Sequence, residues 1–369
     1  MTTRLDALPL LFVLFVPVLG TPPAGAAPLP SLSVQEEADE EEANEREAEV
    51  EEADNSWRGP VANRNQFPPA FLFISLEPER ARVLQKGERS IFVNFDYSNI
   101  PIVKESEFES LQVDLESLRT LLQGKFGLGR DFEIAGSLPI YWMHGGFLDP
   151  FITGYHDAFG FPNRIRDGQP NNLFRYHWRV QETPVLSRED GFVALGELTL
   201  QVKRAIMWKE LGATELAARA AIKLPTGSRD SLVGSGRTDL GFGVELSRVG
   251  RKVGGFFNLS YHVISDLDEV RSKNFFSWMA AVDWRFKPSL SAVLQYDQFQ
   301  PFFESDLKVL SQSARQIVFG LRWRRSDRIH FEWRFAEDIT STSPDFTLGF
   351  QVTYHWKRRG AGSDPTETP

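Results

Sequence analysis

Six histidines (His144, His156, His177, His262, His330 and His355) and not one cysteine among 369 residues bound the chemistry open to this chain. Without Cys there is no disulfide framework, thiolate zinc site, thiol nucleophile or lipoprotein anchor. His144, Asp149, His156 and Asp157 stand close enough in sequence for a metal or acid–base cluster. Their spacing matches no zinc signature, however, and no HExxH is present. Hydroxyl catalysis in a barrel lipase needs a Ser and a His on the outer face at the membrane boundary, held by a polar orienting residue. No GxSxG occurs, and Gly234-Ser235-Gly236 reads as a tight turn that uses the flexibility of glycine. No catalytic residue, cofactor or metal is expected, and the histidine–aspartate group is assigned packing and capping roles.

The charge is concentrated in one place. Between Glu36 and Asp54 there are 12 acids and one base, Arg46, so the rest of the chain holds 38 acids against 40 bases. Lys and Arg form no stripe, which argues against nucleic acid as a partner. Leu8 to Leu19 is an apolar run too short to span a bilayer and followed by Ala24-Gly25-Ala26, the pattern of a cleaved signal peptide. Residues 1–26 are therefore read as an export signal. The acidic segment 27–57 has almost no apolar anchor and is read as disordered, as is the tail 358–369.

Positioning elements emerge from Ile91 onward, where apolar residues recur at every second position. Phe346, Leu348, Phe350, Val352, Tyr354 and Trp356 alternate with Thr347, Gly349, Gln351, Thr353 and His355. The same alternation marks 276–286, 329–335, 132–142 and 174–180, and further candidates begin near Ile91, Leu111, Leu198, Thr214, Leu240, Val253, Leu290 and Ile317. Turn residues separate them at hairpin spacing. Thirteen candidates result, with Phe71 to Leu76 as a further one. Single-chain bacterial barrels use even numbers, so twelve strands are predicted, within ten to fourteen.

Apolar faces this rich in Trp, Tyr and Phe suit a lipid girdle, with Trp142, Trp178, Trp208, Trp323, Phe335 and Trp356 near strand ends. The opposite faces then line the lumen. Asp114, Glu116, Glu133, Arg219, Asp283, Arg285, Arg322, Arg324 and Arg334 are the predicted lumen polarity, acids on early strands and bases on late ones. Such an arrangement would give a transverse field with ion pairs across the closing seam, or else a salt-bridged plug. The rhythm breaks at His144 to Asn172, where Leu148, Phe151, Ile152, Tyr155 and Phe159 fall at helical spacing behind Asp149-Pro150. A short helix near 148–160 is predicted. With His144, Asp149, His156, Asp157 and Arg164 it forms a candidate plug or lid.

The runs GGFLDPFITGYHDAFGFPNRIR, GPVANRNQFP (Gly59 to Pro68), KLPTG (Lys223 to Gly227), GSGRTDLGFG (Gly234 to Gly243) and AEDITSTSPDF (Ala336 to Phe346) together resemble the outer-membrane family called domain of unknown function 3187. The resemblance covers Gly59 to Trp356 and implies an outer-membrane barrel of Gram-negative cells, without an established substrate or catalytic residue. KLPTG followed by GSGxxD also looks like a turn pattern of transport barrels in aromatic-degradation pathways, an analogy at fold level only. Asp239 and its neighbouring glycines are assigned to a structural turn.

These readings combine into an all-β, antiparallel up-and-down transmembrane barrel over residues 58–357, exported to the outer membrane. Lipid and a small solute are its expected partners. A narrow channel or transporter is the function expected. The alternatives are a sealed structural or partner-binding barrel, and an outer-membrane lipid hydrolase.

Overall fold

Alternating side chains force each strand to present two unlike faces, and only a closed sheet satisfies every backbone group of strands that meet lipid. The computed structural model describes residues 57–150, 154, 172–181, 183–207, 214–340, 342–344 and 346–356. The predicted export signal, the acidic segment up to residue 56, the carboxy-terminal tail, Trp208 and most of the predicted 148–160 helix, with His156, Asp157 and Arg164, lie outside them, whereas Trp57, read as the end of the disordered segment, is ordered and buried.

Fifteen strands are described. They are β1 (Arg89–Glu105), β2 (Glu109–Gly129), β3 (Phe132–His144), β4 (Arg175–Val180), β5 (Thr183–Arg188), β6 (Phe192–Leu195), β7 (Thr199–Met207) and β8 (Thr214–Lys223). After them come β9 (Asp239–Val249), β10 (Val253–Val263), β11 (Phe275–Lys287), β12 (Leu290–Phe299), β13 (Ala314–Arg324), β14 (Ile329–Asp338) and β15 (Phe346–Trp356). The ring runs β1, β2, β3, then β7 through β15, and closes where Arg89–Asn99 pairs with Trp356–Phe346. Every pairing in it is antiparallel, and the twelve strands agree with the number predicted.

The surplus sequence candidate, 174–180, is β4. It lies outside the ring because β3 ends opposite Glu116, and β4 takes its place beside Glu109–Asp114 of β2. Phe71 to Leu76 is not a strand either; a 3-10 turn, Pro68–Leu72, runs into it. One end of the ring carries tight connections, Arg130-Asp131 and Pro288-Ser289 among them, and also the start of β1 and the end of β15. We call this the turn end. Arg130 and Asp131 both have positive φ, 52° and 66°, as a two-residue hairpin turn of matching twist requires. The opposite, loop end carries longer connections and the β4–β5 hairpin.

Ring positions divide by parity. Phe242, Val244, Val282, Trp284, Leu294, Phe319, Leu321, Trp333 and Leu348 are exposed on the outside, whereas Lys203, Arg219, Glu245, Asp283, Gln295 and Arg334 are buried inside. Trp178 departs from the girdle prediction. It is fully buried against Phe303 in an apolar cluster that seals the loop end.

One inward glycine has a packing role. Gly349 of β15 stands between Asp96 of β1 and Arg334 of β14, and a Cβ there would lie 2.3 Å from Arg334 Cγ. Its missing side chain lets Arg334 lie across the seam and pair with Asp96. Gly349→Val is expected to displace Arg334 and cost about 1–3 kcal/mol. A lowered urea midpoint of the gel-mobility transition checks this.

Candidate functional site

The lumen is occupied by the chain's own Trp57–Leu84. An extended segment inside a closed ring has no free strand edge to pair with, so wall side chains must satisfy its backbone groups. Trp57 Nε1 donates to Gly250 O at 3.1 Å near the turn end. Moving inward, Val61 N donates to Gln295 Oε1 at 2.9 Å, while Gln295 Nε2 returns a bond to Val61 O at 3.1 Å. Asn63 Nδ2 donates to Asp297 and Gln316, each at 2.9 Å, and Gln66 Nε2 to Asp96 at 3.3 Å.

The segment reverses at the loop end. Pro68 and Pro69 preset the backbone of the 3-10 turn, and the Arg64 guanidinium donates to Ala70 O at 2.5 Å and Phe73 O at 2.8 Å. On the way back Ile74 N donates to Asp239 at 3.0 Å, Leu76 N to His262 Nε2 at 3.1 Å, Glu79 N to Asn258 Oδ1 at 2.7 Å and Ala81 N to Ser247 Oγ at 3.0 Å. Leu84 N reaches Glu133 at 2.9 Å before β1 begins. The two limbs touch where Gly59, at φ 95°, passes Arg80; a Cβ on Gly59 would stand 2.6 Å from that of Arg80. The plug is therefore a hairpin with both limbs at the turn end.

Charge pairing fixes the returning limb. Glu79 meets Lys125 at 2.7 Å, Lys203 at 2.8 Å and Arg219 at 3.2 Å, and Arg80 meets Glu215 at 2.7 and 2.6 Å. Glu77 pairs with Arg119. At the apex Lys223 donates to Leu72 O at 2.7 Å and lies 2.9 Å from Asp239, with Glu197 as its other carboxylate.

Of the sequence-predicted lumen residues, Glu133, Arg219, Asp283, Arg285, Arg322, Arg324 and Arg334 stand at inward positions. Asp114 and Glu116 do not. They occupy the outward parity of β2, opposite Pro101 and Asn99. Glu116 is nevertheless buried, accepting from Leu148 N at 2.8 Å and Asn99 Nδ2 at 3.3 Å and bonding Tyr97 Oη. Asp149 accepts from Asn172 N at 2.8 Å, and His144 Nδ1 from Gly146 N at 2.9 Å. The described ends of the 144–172 segment are thus anchored to the outer side of the wall, and the described plug is Trp57–Leu84.

The expected separation of acids from bases is also replaced. Arg322 pairs with Asp283 at 2.8 Å and Glu332 at 2.7 Å, and Arg334 with Asp96 across the seam. Each arginine is neutralised by carboxylates one or two strands away on the same wall, and Arg334–Asp96 is an ion pair across the closing seam of the kind expected. Beside the plug at the turn end remains a cavity of about 240 Å³, bordered by Trp57, Arg58, Arg285, Arg324 and His330.

Residues that sequence reasoning left without a role here are Gln295, Asn258, Glu79 and Arg80. A signal was present: the resembling motifs GPVANRNQFP, KLPTG and GSGRTDLGFG supply the outgoing limb, Lys223 and Asp239, which meet at the plug.

The chain matches the family model described as Protein of unknown function (DUF3187) over residues 46–356. No curated protein matches it. Among solved structures it is similar to the COG4313 outer membrane channel from Pseudomonas putida F1, at 13% identity and a TM-score of 0.53, covering 76% of this chain and 100% of that one. The NanC porin is more distant, at 10% identity and a TM-score of 0.40 over 72% of this chain and 99% of that one. The first likeness bears on fold alone. Because the family match takes in the plug and every strand of the ring, this chain, a closed twelve-strand β-barrel, belongs to the DUF3187 family.

Proposed function

We propose that the protein is an outer-membrane channel for small solutes, held shut by the hairpin Trp57–Leu84. One observation carries this reading: the hairpin is bound to the wall by hydrogen bonds and ion pairs to polar side chains, groups that water can replace when the hairpin shifts. Short turns face the periplasm in barrels of this class, which puts both limbs on the periplasmic side. A Gram-negative outer membrane is the matching location.

The absence of native cysteine makes a direct test clean. A Cβ at Gly320 would lie 2.7 Å from Val61 Cγ1, so Val61→Cys with Gly320→Cys falls within disulfide reach. The oxidised double variant is expected to be silent in planar bilayers, and reduction is expected to restore the wild-type pattern of discrete, salt-dependent steps. Equal currents in both states would reject gating by the hairpin. Silence of folded wild-type protein under every condition would favour the second reading, a sealed partner-binding barrel, which the apolar loop-end seal around Trp178 and Phe303 supports.

A further inference from the structure

The turn-end cavity has an uneven charge pattern. On its β2–β7 side the carboxylates Glu77, Glu79 and Glu133 are committed to Arg119, Lys125, Lys203 and Arg219. On the β11–β14 side cations are in excess. Arg322 is used by Asp283, Glu332 and Gly59 O, but Arg58 and Arg285 have no carboxylate within ion-pair distance among the described residues. Arg58 is largely buried, contacts the His330 ring nitrogen at 2.5 Å, leaves its Nε without a hydrogen bond, and is repelled by Arg80, Arg322 and Arg324 more than Asp327 attracts it. Arg285 lies over the Trp57 ring at 4.0 Å, a contact that orients the guanidinium without neutralising it. Arg324 has only Asp327, 3.6 Å away and 66% exposed.

Three guanidinium groups beside a cavity, two of them with no carboxylate at ion-pair distance among the described residues, form a receptor for an oxyanion, since Arg donors fit carboxylate and phosphate in bidentate fashion. The 240 Å³ volume exceeds the roughly 150 Å³ of a cavity known to hold benzene, so a small organic body fits with the anionic group. We infer that this cavity binds a small carboxylate or phosphate, with Arg58, Arg285 and Arg324 as its anion contacts. The inference deepens the channel reading by naming a solute class, and it rests on that reading for its meaning in transport. The occupant's oxyanion belongs either to a soluble acid or to a lipid headgroup.

The test is calorimetric titration of the full chain, folded in detergent, with succinate at low salt and with succinamide as the uncharged control. Saturable heat is expected for succinate alone. Affinity should fall at least tenfold in Arg58→Gln and in Arg285→Gln, each checked for folding by its heat-dependent gel shift. Arg285→Lys, which keeps the charge, should bind more tightly than Arg285→Gln. Absent succinate binding, equal binding of succinamide, or unchanged affinity in both Gln variants overturns the inference. So does Arg285→Lys binding no better than Arg285→Gln. Repeating the titration in phosphatidylcholine and phosphatidylglycerol nanodiscs separates the sources: competition by phosphatidylglycerol assigns the site to a headgroup phosphate, and its absence to a soluble acid. Binding is read without conduction, so a conducting barrel that ignores succinate defeats this inference alone, and a silent barrel that binds it defeats only the channel reading.

Discussion

Deleting Trp57–Leu84 should raise the conductance of the folded barrel by on the order of tenfold or more, because among the described residues this hairpin is what fills the lumen of the twelve-strand ring along its length. The wall cations Lys203, Arg219 and Arg119 would lose Glu79 and Glu77, but in an emptied lumen they would meet water, which limits the cost. Single-channel recording of protein that still shows a gel shift is the measurement. A folded deletion variant with unchanged current would move the obstruction to the loop-end seal, and the hairpin would lose its role as plug.

Glu79→Gln should be the most damaging single substitution in the hairpin. It removes one buried carboxylate shared by Lys125, Lys203 and Arg219 while Lys203 and Arg219 stay buried, a change that costs about 3–5 kcal/mol. Glu133 and Glu245 remain near Lys203 and Arg219, at 3.4 Å and 2.9 Å, which keeps the barrel folded. The urea midpoint of the gel-mobility transition should fall, and channel openings should become more frequent. Asp327→Asn, at an exposed pair, should change stability by less than about 1 kcal/mol, leaving that midpoint nearly unmoved, and serves as the control. Equality of the two variants would mean that the hairpin contributes little to stability.

The ring was readable because lipid permits no exceptions on one face. Phe346 to Trp356 and Phe276 to Phe286 alternate strictly for that reason, and the same parity along β11, β13 and β14 placed Asp283, Arg322 and Arg334 inward. Parity holds along β2 as well, but beyond the hydrocarbon layer an outward position no longer meets lipid. Glu116 could therefore be outward, charged and buried at once, and a rule that sends every charge inward misplaced it. The hairpin escaped notice for a different reason. A segment enclosed on all sides, by apolar residues such as Val293 and Val318 as well as polar ones, has no wet and dry face, so GPVANRNQFP carries no period, and the hairpin's partners Gln295 and Asn258 lie more than 170 positions from Val61 and Glu79. The 174–180 segment alternates as a strand does, yet alternation alone could not separate membership of the ring from pairing above it.

Topologically the occupant of the lumen is a loop and not a thread. Both of its ends leave by the same mouth, so it can be drawn out and reinserted without a chain terminus crossing the barrel and without opening a single ladder between strands. A segment making one pass would have to be in place before Arg89–Asn99 zipped onto β15. Here the order of assembly is free: a ring completed first can still take up its hairpin, and a hairpin formed first can still be enclosed.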